Sequence, residues 1–207
     1  MPFPGHESVL TSNPAPPADL QLPTRRGLPD DIAYLRAAYP RVQWEGHARY
    51  GELADFWLKV HDSLRGQGGQ LKQVTDAFRQ GQWLAGADFP SVFVPRFNQF
   101  LGHLNGHHQI EDSAYFPKFR AFDPRMGVGF AILEADHGLI HEQVVATVDA
   151  ARTLLQALAQ GGDAQRYAAD AYSGVTDRLM DLLGRHLADE EDLVIPAMLE
   201  HGERSLA

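Results

Sequence analysis

Two segments of the chain align without gaps: His107-His-Gln-Ile-Glu111-Asp-Ser-Ala-Tyr-Phe-Pro117 and His186-Leu-Ala-Asp-Glu190-Glu-Asp-Leu-Val-Ile-Pro196. Each sets a glutamate four residues after a histidine, with a second carboxylate beside it. Four residues turn an α-helix by about 400°, so each His and its Glu share a face one turn apart and form an N,O chelate. Between the two segments stands His137-Gly-Leu-Ile-His141, a third pair at the same spacing. Upstream, His61 lies in FWLKVHDSL, among apolar residues that turn it towards a core.

The chemistry such groups can do is cation binding by nitrogen and oxygen. The chain has no cysteine, which removes thiolate zinc sites, ordinary iron-sulfur ligation and cysteine nucleophiles. Neutral imidazole suits iron, zinc, copper and nickel, and a carboxylate can bridge two cations. Five histidines with two bridging glutamates suit a dinuclear site better than a mononuclear one. Two six-coordinate ions, one solvent-derived bridge and these seven side chains leave one position open, where a small diatomic ligand would bind. The candidate ligands are therefore His61, His107, Glu111, His137, His141, His186 and Glu190. Glu191 competes with Glu190 for the last place, and the internal repeat selects Glu190.

Other histidines have plainer readings. His6, His47, His103, His108 and His201 are taken as exposed or satisfied core residues; His47 is fourteen residues before His61 and so about 21 Å away along a helix. His103, one turn before His107, is the one that could stand behind a ligand. Tyr115 reads as a core or rim tyrosine, and Trp57 and the Phe97/Phe100/Leu101/Leu104 stripe as core packing.

The elements that must carry these residues are helices. The apolar pattern is helical throughout and hardly anywhere strand-like, which predicts an all-α fold, an up-down-up-down four-helix bundle. The first helix is expected from near Trp44 through GQGG at 66 to 69 to about Gln82, the second over about 91 to 116 before Pro117, the third over about 128 to 159, and the fourth from Asp163 to near Pro196. His107 and His186 fall late in their helices, whereas His61 and His137 have most of their helices to come. In an alternating bundle the four meet in one layer. A short extra helix is expected at IAYLRAAY, between Pro29 and Pro40. Residues 1–27, rich in proline and small polar residues, read as an extended or disordered arm, and 28–207 as the domain.

Composition narrows the partners. Acidic residues outnumber basic ones by 27 to 18, for a formal net charge of -9. Neither nucleic acid nor an anionic membrane is an expected partner. No stretch approaches the roughly 18 apolar residues of a membrane span, and the N-terminus lacks the pattern of a signal peptide. A cytoplasmic protein is expected; its oligomeric state, homodimer included, is open.

In their order and spacing, His61, His107-xxx-Glu111, His137-xxx-His141 and His186-xxx-Glu190 resemble the hemerythrin-like, or HHE cation-binding, family, over about 44 to 199. The resemblance implies two iron ions with an oxo or hydroxo bridge, zinc or manganese being alternatives. It places His137, His141 and His186 on one iron and His61 and His107 on the other, with Glu111 and Glu190 bridging. In oxygen-carrying members of that family the iron with two histidines has the open site. The function this implies is binding of dioxygen or nitric oxide for storage, delivery or sensing, rather than catalysis. The alternatives are an enzyme acting on peroxide or nitric oxide or assisting iron-sulfur repair, and an iron or zinc store.

Overall fold

A computed structural model describes residues 17–82 and 88–205. Helix α1 spans Glu52–Arg79, α2 Phe89–Ile110, α3 Phe116–Phe122, α4 Gly127–Ala157 and α5 Gly162–His201. A π-helical turn, Glu111–Tyr115, joins α2 to α3. The long helices form a ring: α1 packs on α2 and α5, and α4 on α5 and α2. This is the four-helix bundle that the periodicity predicts, with no strand among the described residues. No described helix is long and apolar enough to cross a membrane.

Helix α1 runs unbroken through Gly66, Gly68 and Gly69. Gly68 is buried, and a Cβ there would run into Met180 Sδ on α5. That glycine lets two helices approach closely, a packing gain that offsets its entropic cost. The helix begins at Glu52, later than expected from Trp44, because its start is set from far away. Glu203 accepts hydrogen bonds from the backbone N–H groups of Gly51, Leu53 and Ala54 at 3.1, 3.1 and 2.8 Å. These are the orphan donors of a helix N-terminus, and Arg41–Gln43 before them is a separate 3-10 turn.

Neither expected proline stop ends its helix. Pro117 sits in the first turn of α3, directly after the π-turn, whose i→i+5 bonding breaks the α-helical ladder just where a residue without an N–H follows. Helix α5 continues through buried Pro196 to His201. The short helix expected at IAYLRAAY is instead a run of hydrogen-bonded turns between Pro29 and Tyr39. Its side chains anchor outward elements, Tyr34 on Asp123 and Tyr39 on Glu200.

The arm expected over residues 1–27 divides. Residues 1–16 lie outside the described residues, but from Pro17 the chain lies against the bundle. Leu22 is fully buried, Arg25 is 3% exposed and Leu28 joins the core. Composition concealed this, since two apolar side chains and one arginine suffice to seat the segment.

Two apolar clusters fill the bundle. One gathers Leu64, Phe93, Phe97, Phe100, Leu104, Ile140, Leu183 and Leu187; the other gathers Trp57, Phe116, Phe130, Leu133, Leu193 and Val194. The break between them falls at 57 to 64 on α1, 104 to 116 from α2 through the π-turn to α3, 133 to 140 on α4 and 187 to 193 on α5. His61, His107, His108, Glu111, His137 and Glu190 fall in that break, and His186 adjoins it.

Candidate metal centre

Adjacent residues on α2 point about 100° apart, so His107 and His108 face different neighbours. His107 joins His61 of α1, Glu111 of the π-turn and Glu190 of α5; His108 joins His137 of α4 and His186 of α5. In each group one donor atom per side chain lies within 4.8 Å of all the others. His61, His186 and Glu190 have no exposed surface and Glu111 has 1%.

The carboxylates reach both groups. Glu111 Oε1 lies 2.9 Å from His107 Nδ1, and its Oε2 lies 3.5 Å from His137 Nε2. Glu190 Oε1 is 3.5 Å from His61 Nε2, while its Oε2 is 3.5 Å from His186 Nε2 and 3.9 Å from His107 Nε2. Yet His61 Nε2, His107 Nε2, His108 Nε2, both Glu111 oxygens and Glu190 Oε2 have no hydrogen-bond partner among the described residues; the close His107–Glu111 approach is not aligned as one. Buried polar atoms left this way are costly. Converging imidazole nitrogens and carboxylate oxygens are the donor set a divalent cation satisfies.

Outer side chains decide which nitrogens face inward. His137 Nδ1 is 2.9 Å from Asp112 Oδ1, His186 Nδ1 is 3.4 Å from Asp136 Oδ2 and His61 Nδ1 is 3.0 Å from Glu191 Oε1. A carboxylate only accepts, so in each ring Nδ1 carries the donated proton and Nε2 turns inward. His137 and His186 then face each other Nε2 to Nε2 at 3.1 Å, an approach that either a shared proton or a bound cation satisfies. Trp57 donates its indole N–H to Glu190 Oε1 at 2.6 Å, so this residue, read above as packing, also aims a ligand.

The titration behaviour agrees with a cation-shaped layer. Burial lowers His107 to about 3 and also lowers His108 and His186, so those rings are neutral. His61 differs: burial acts to lower it, but Glu190 and Glu191 outweigh that and raise it to about 9. Burial and the neighbouring Glu190 push Glu111 well above the usual carboxylate range. Burial opposes ionisation of Glu190 too, but the charge of His61 and its hydrogen bond hold it well below that range. Burial thus favours the protonated form of Glu111, and the adjoining carboxylates favour the charged form of His61, protons that cation uptake would displace.

Of the residues predicted as ligands, the structure brings His61, His107, Glu111, His137, His186 and Glu190 together. His141 is the exception. It is exposed on α4, outside both groups. The buried stripe of α4 runs through Leu133, His137 and Ile140; His141 is about 100° beyond fully buried Ile140, on the solvent side. In that group His108 stands instead, stacked on His137 with ring centroids 4.0 Å apart. The donor set keeps five histidines and two glutamates. A signal for His108 exists in the sequence: it follows Leu104, a member of the apolar stripe, by one helical turn. Glu191 lies behind His61, where Arg65 at 2.7 Å and Arg41 at 2.5 Å also hold it.

A cavity of about 190 Å³ opens beside His107 and Glu111, walled by Phe56, Trp57, Val60, Ile110 and Tyr115. His103 lines it too, accepting a hydrogen bond at Nδ1 from Gln67 at 3.0 Å. A family model described as the hemerythrin HHE cation binding domain matches residues 52–198. No curated protein and no solved structure matches the chain.

Proposed function

Because the chain belongs to the hemerythrin HHE cation-binding family and carries a His/Glu cluster able to hold metal, we propose that it holds two iron ions and binds dioxygen or nitric oxide reversibly. His61 and His107 would hold one ion, His108, His137 and His186 the other, and Glu111 and Glu190 would be shared. The observation that carries this reading is that both carboxylates reach both histidine groups, which a mononuclear site does not require. Bound iron would supply a redox-active centre with an open position for a diatomic ligand.

The protein's own part is selection and shielding. The cavity meets the two-histidine group, and its largely apolar walls admit a small neutral molecule more readily than a hydrated ion. Trp57 fixes Glu190, and Glu191 fixes His61, so the ligands on that side are pre-aimed. A second reading, turnover of peroxide or nitric oxide, is favoured by Tyr115 and His103 on the same wall, since both can move protons.

Iron analysis with Mössbauer spectroscopy tests the proposal. Two magnetically coupled irons per chain are expected; one iron, or isolated irons, overturns the dinuclear reading. Reduced protein opened to air should gain a charge-transfer absorption that fades under vacuum. Irreversible oxidation instead overturns carriage, and sustained consumption of peroxide or nitric oxide, lost in Glu111→Ala, establishes the second reading.

A further inference from the structure

Arg25 is a fully desolvated arginine from outside the bundle, wedged between two of its helices. Its Nη1 donates to Asp136 Oδ1 at 3.0 Å and to the Leu20 carbonyl at 2.9 Å, and its Nη2 pairs with Asp136 Oδ2. Its Nε donates to Asp189 Oδ2 at 2.6 Å. The other Asp189 oxygen accepts the Leu28 backbone N–H at 3.0 Å. One guanidinium therefore ties a carboxylate of α4 to a carboxylate of α5.

Those carboxylates immediately precede His137 and Glu190 in sequence, and Asp136 Oδ2 also lies 3.4 Å from His186 Nδ1. The Nε2 atoms of His137 and His186, one from each helix, approach to 3.1 Å directly beside this tie. Their separation depends on the α4–α5 seam, and their inward aim depends on outer acceptors such as Asp136. Without Arg25 two buried carboxylates would face each other across the seam with no cation between them.

We infer that Arg25, carried by the docked segment 17–28, is a positioning residue of the metal centre: it closes the α4–α5 seam and orients His186 through Asp136, so that the three-histidine group is complete only with that segment in place. This rests on the two-ion reading. The planar fork matters as well as the charge, because a lysine cannot bond both Asp136 oxygens and Asp189 in one fixed geometry.

Cobalt(II) alone, titrated into the metal-free full chain, tests it through visible absorption and stoichiometry, with helix content followed by circular dichroism. The wild type should take two equivalents; fewer than two sinks the underlying two-ion reading, and this inference with it. Arg25→Lys should keep the helix content and one tight equivalent, while the other weakens by about 10–100-fold, as for loss of an outer-shell partner. His61→Ala should likewise keep one equivalent, and the double variant should hold neither tightly. Two tight equivalents in Arg25→Lys, or one in the double variant, overturn the inference. So does loss of helix in Arg25→Lys, which would make Arg25 a general folding residue.

Discussion

At the scale of single residues, about 100° of helix rotation decides which side chains enter the candidate centre. His137 and His141 satisfy the i, i+4 rule equally well with any other pair, but that rule says only that two side chains share a face, not that the face looks inward. The inward direction of α4 is marked by Leu133 and Ile140, both fully buried, and His141 lies off that line. His108 lies on the inward line of α2, one turn after Leu104, and its Nε2 is buried without a partner. His108→Ala is therefore expected to reduce tight metal binding from two equivalents to one, whereas His141→Ala leaves both. Metal stoichiometry of the two purified variants decides it; the reverse pattern would return His141 to the ligand set. That His61, His107, Glu111, His137 and His186 come together was legible because spacing and apolar surroundings agreed at each. Glu190 was legible only through the repeat, and the role of its neighbour Glu191 became visible only with His61, Arg65 and Arg41 arranged around it.

At the scale of elements, boundaries set by local chemistry could be read and those set by distant partners could not. Continuity of α1 across GQGG followed from matching helix lengths, but the start at Glu52 depends on Glu203, 151 residues later in the chain. The seating of residues 17–28 depends likewise on Asp136 and Asp189, which no pattern within the segment reveals. The glycines of α1 separate the same two causes. A Cβ on Gly69 meets nothing within 4 Å, so Gly69→Ala should stabilise the protein by about 1 kcal/mol, the difference in helix propensity. Gly68→Ala should give no such gain, because its methyl group must displace Met180 at the α1–α5 contact. Urea unfolding midpoints of both variants check this; equal gains would show that α1 and α5 do not need the close approach.

At the scale of the whole molecule, the bundle has two apolar clusters separated by a layer of five imidazoles and two carboxylates. Such a layer costs stability wherever its nitrogens and oxygens are buried unpaired. A net charge of -9 adds a field that favours cations over anions around it. The fold is thus stabilised at its ends by packing and depends at its waist on what the layer binds. A cation held by the folded layer and not by the unfolded chain adds about 2.7 kcal/mol at a free concentration one hundred times its Kd. For a chain of this length each kcal/mol moves Tm by roughly 2–4 °C, so stripping two such cations, about 5.4 kcal/mol together, should lower Tm by about 11–22 °C. Differential scanning calorimetry with and without chelator measures the shift, and an unchanged Tm would mean that the layer is satisfied without metal. Gly69→Ala supplies the control: its gain arises in the helix, away from the layer, and should appear equally in the loaded and stripped protein.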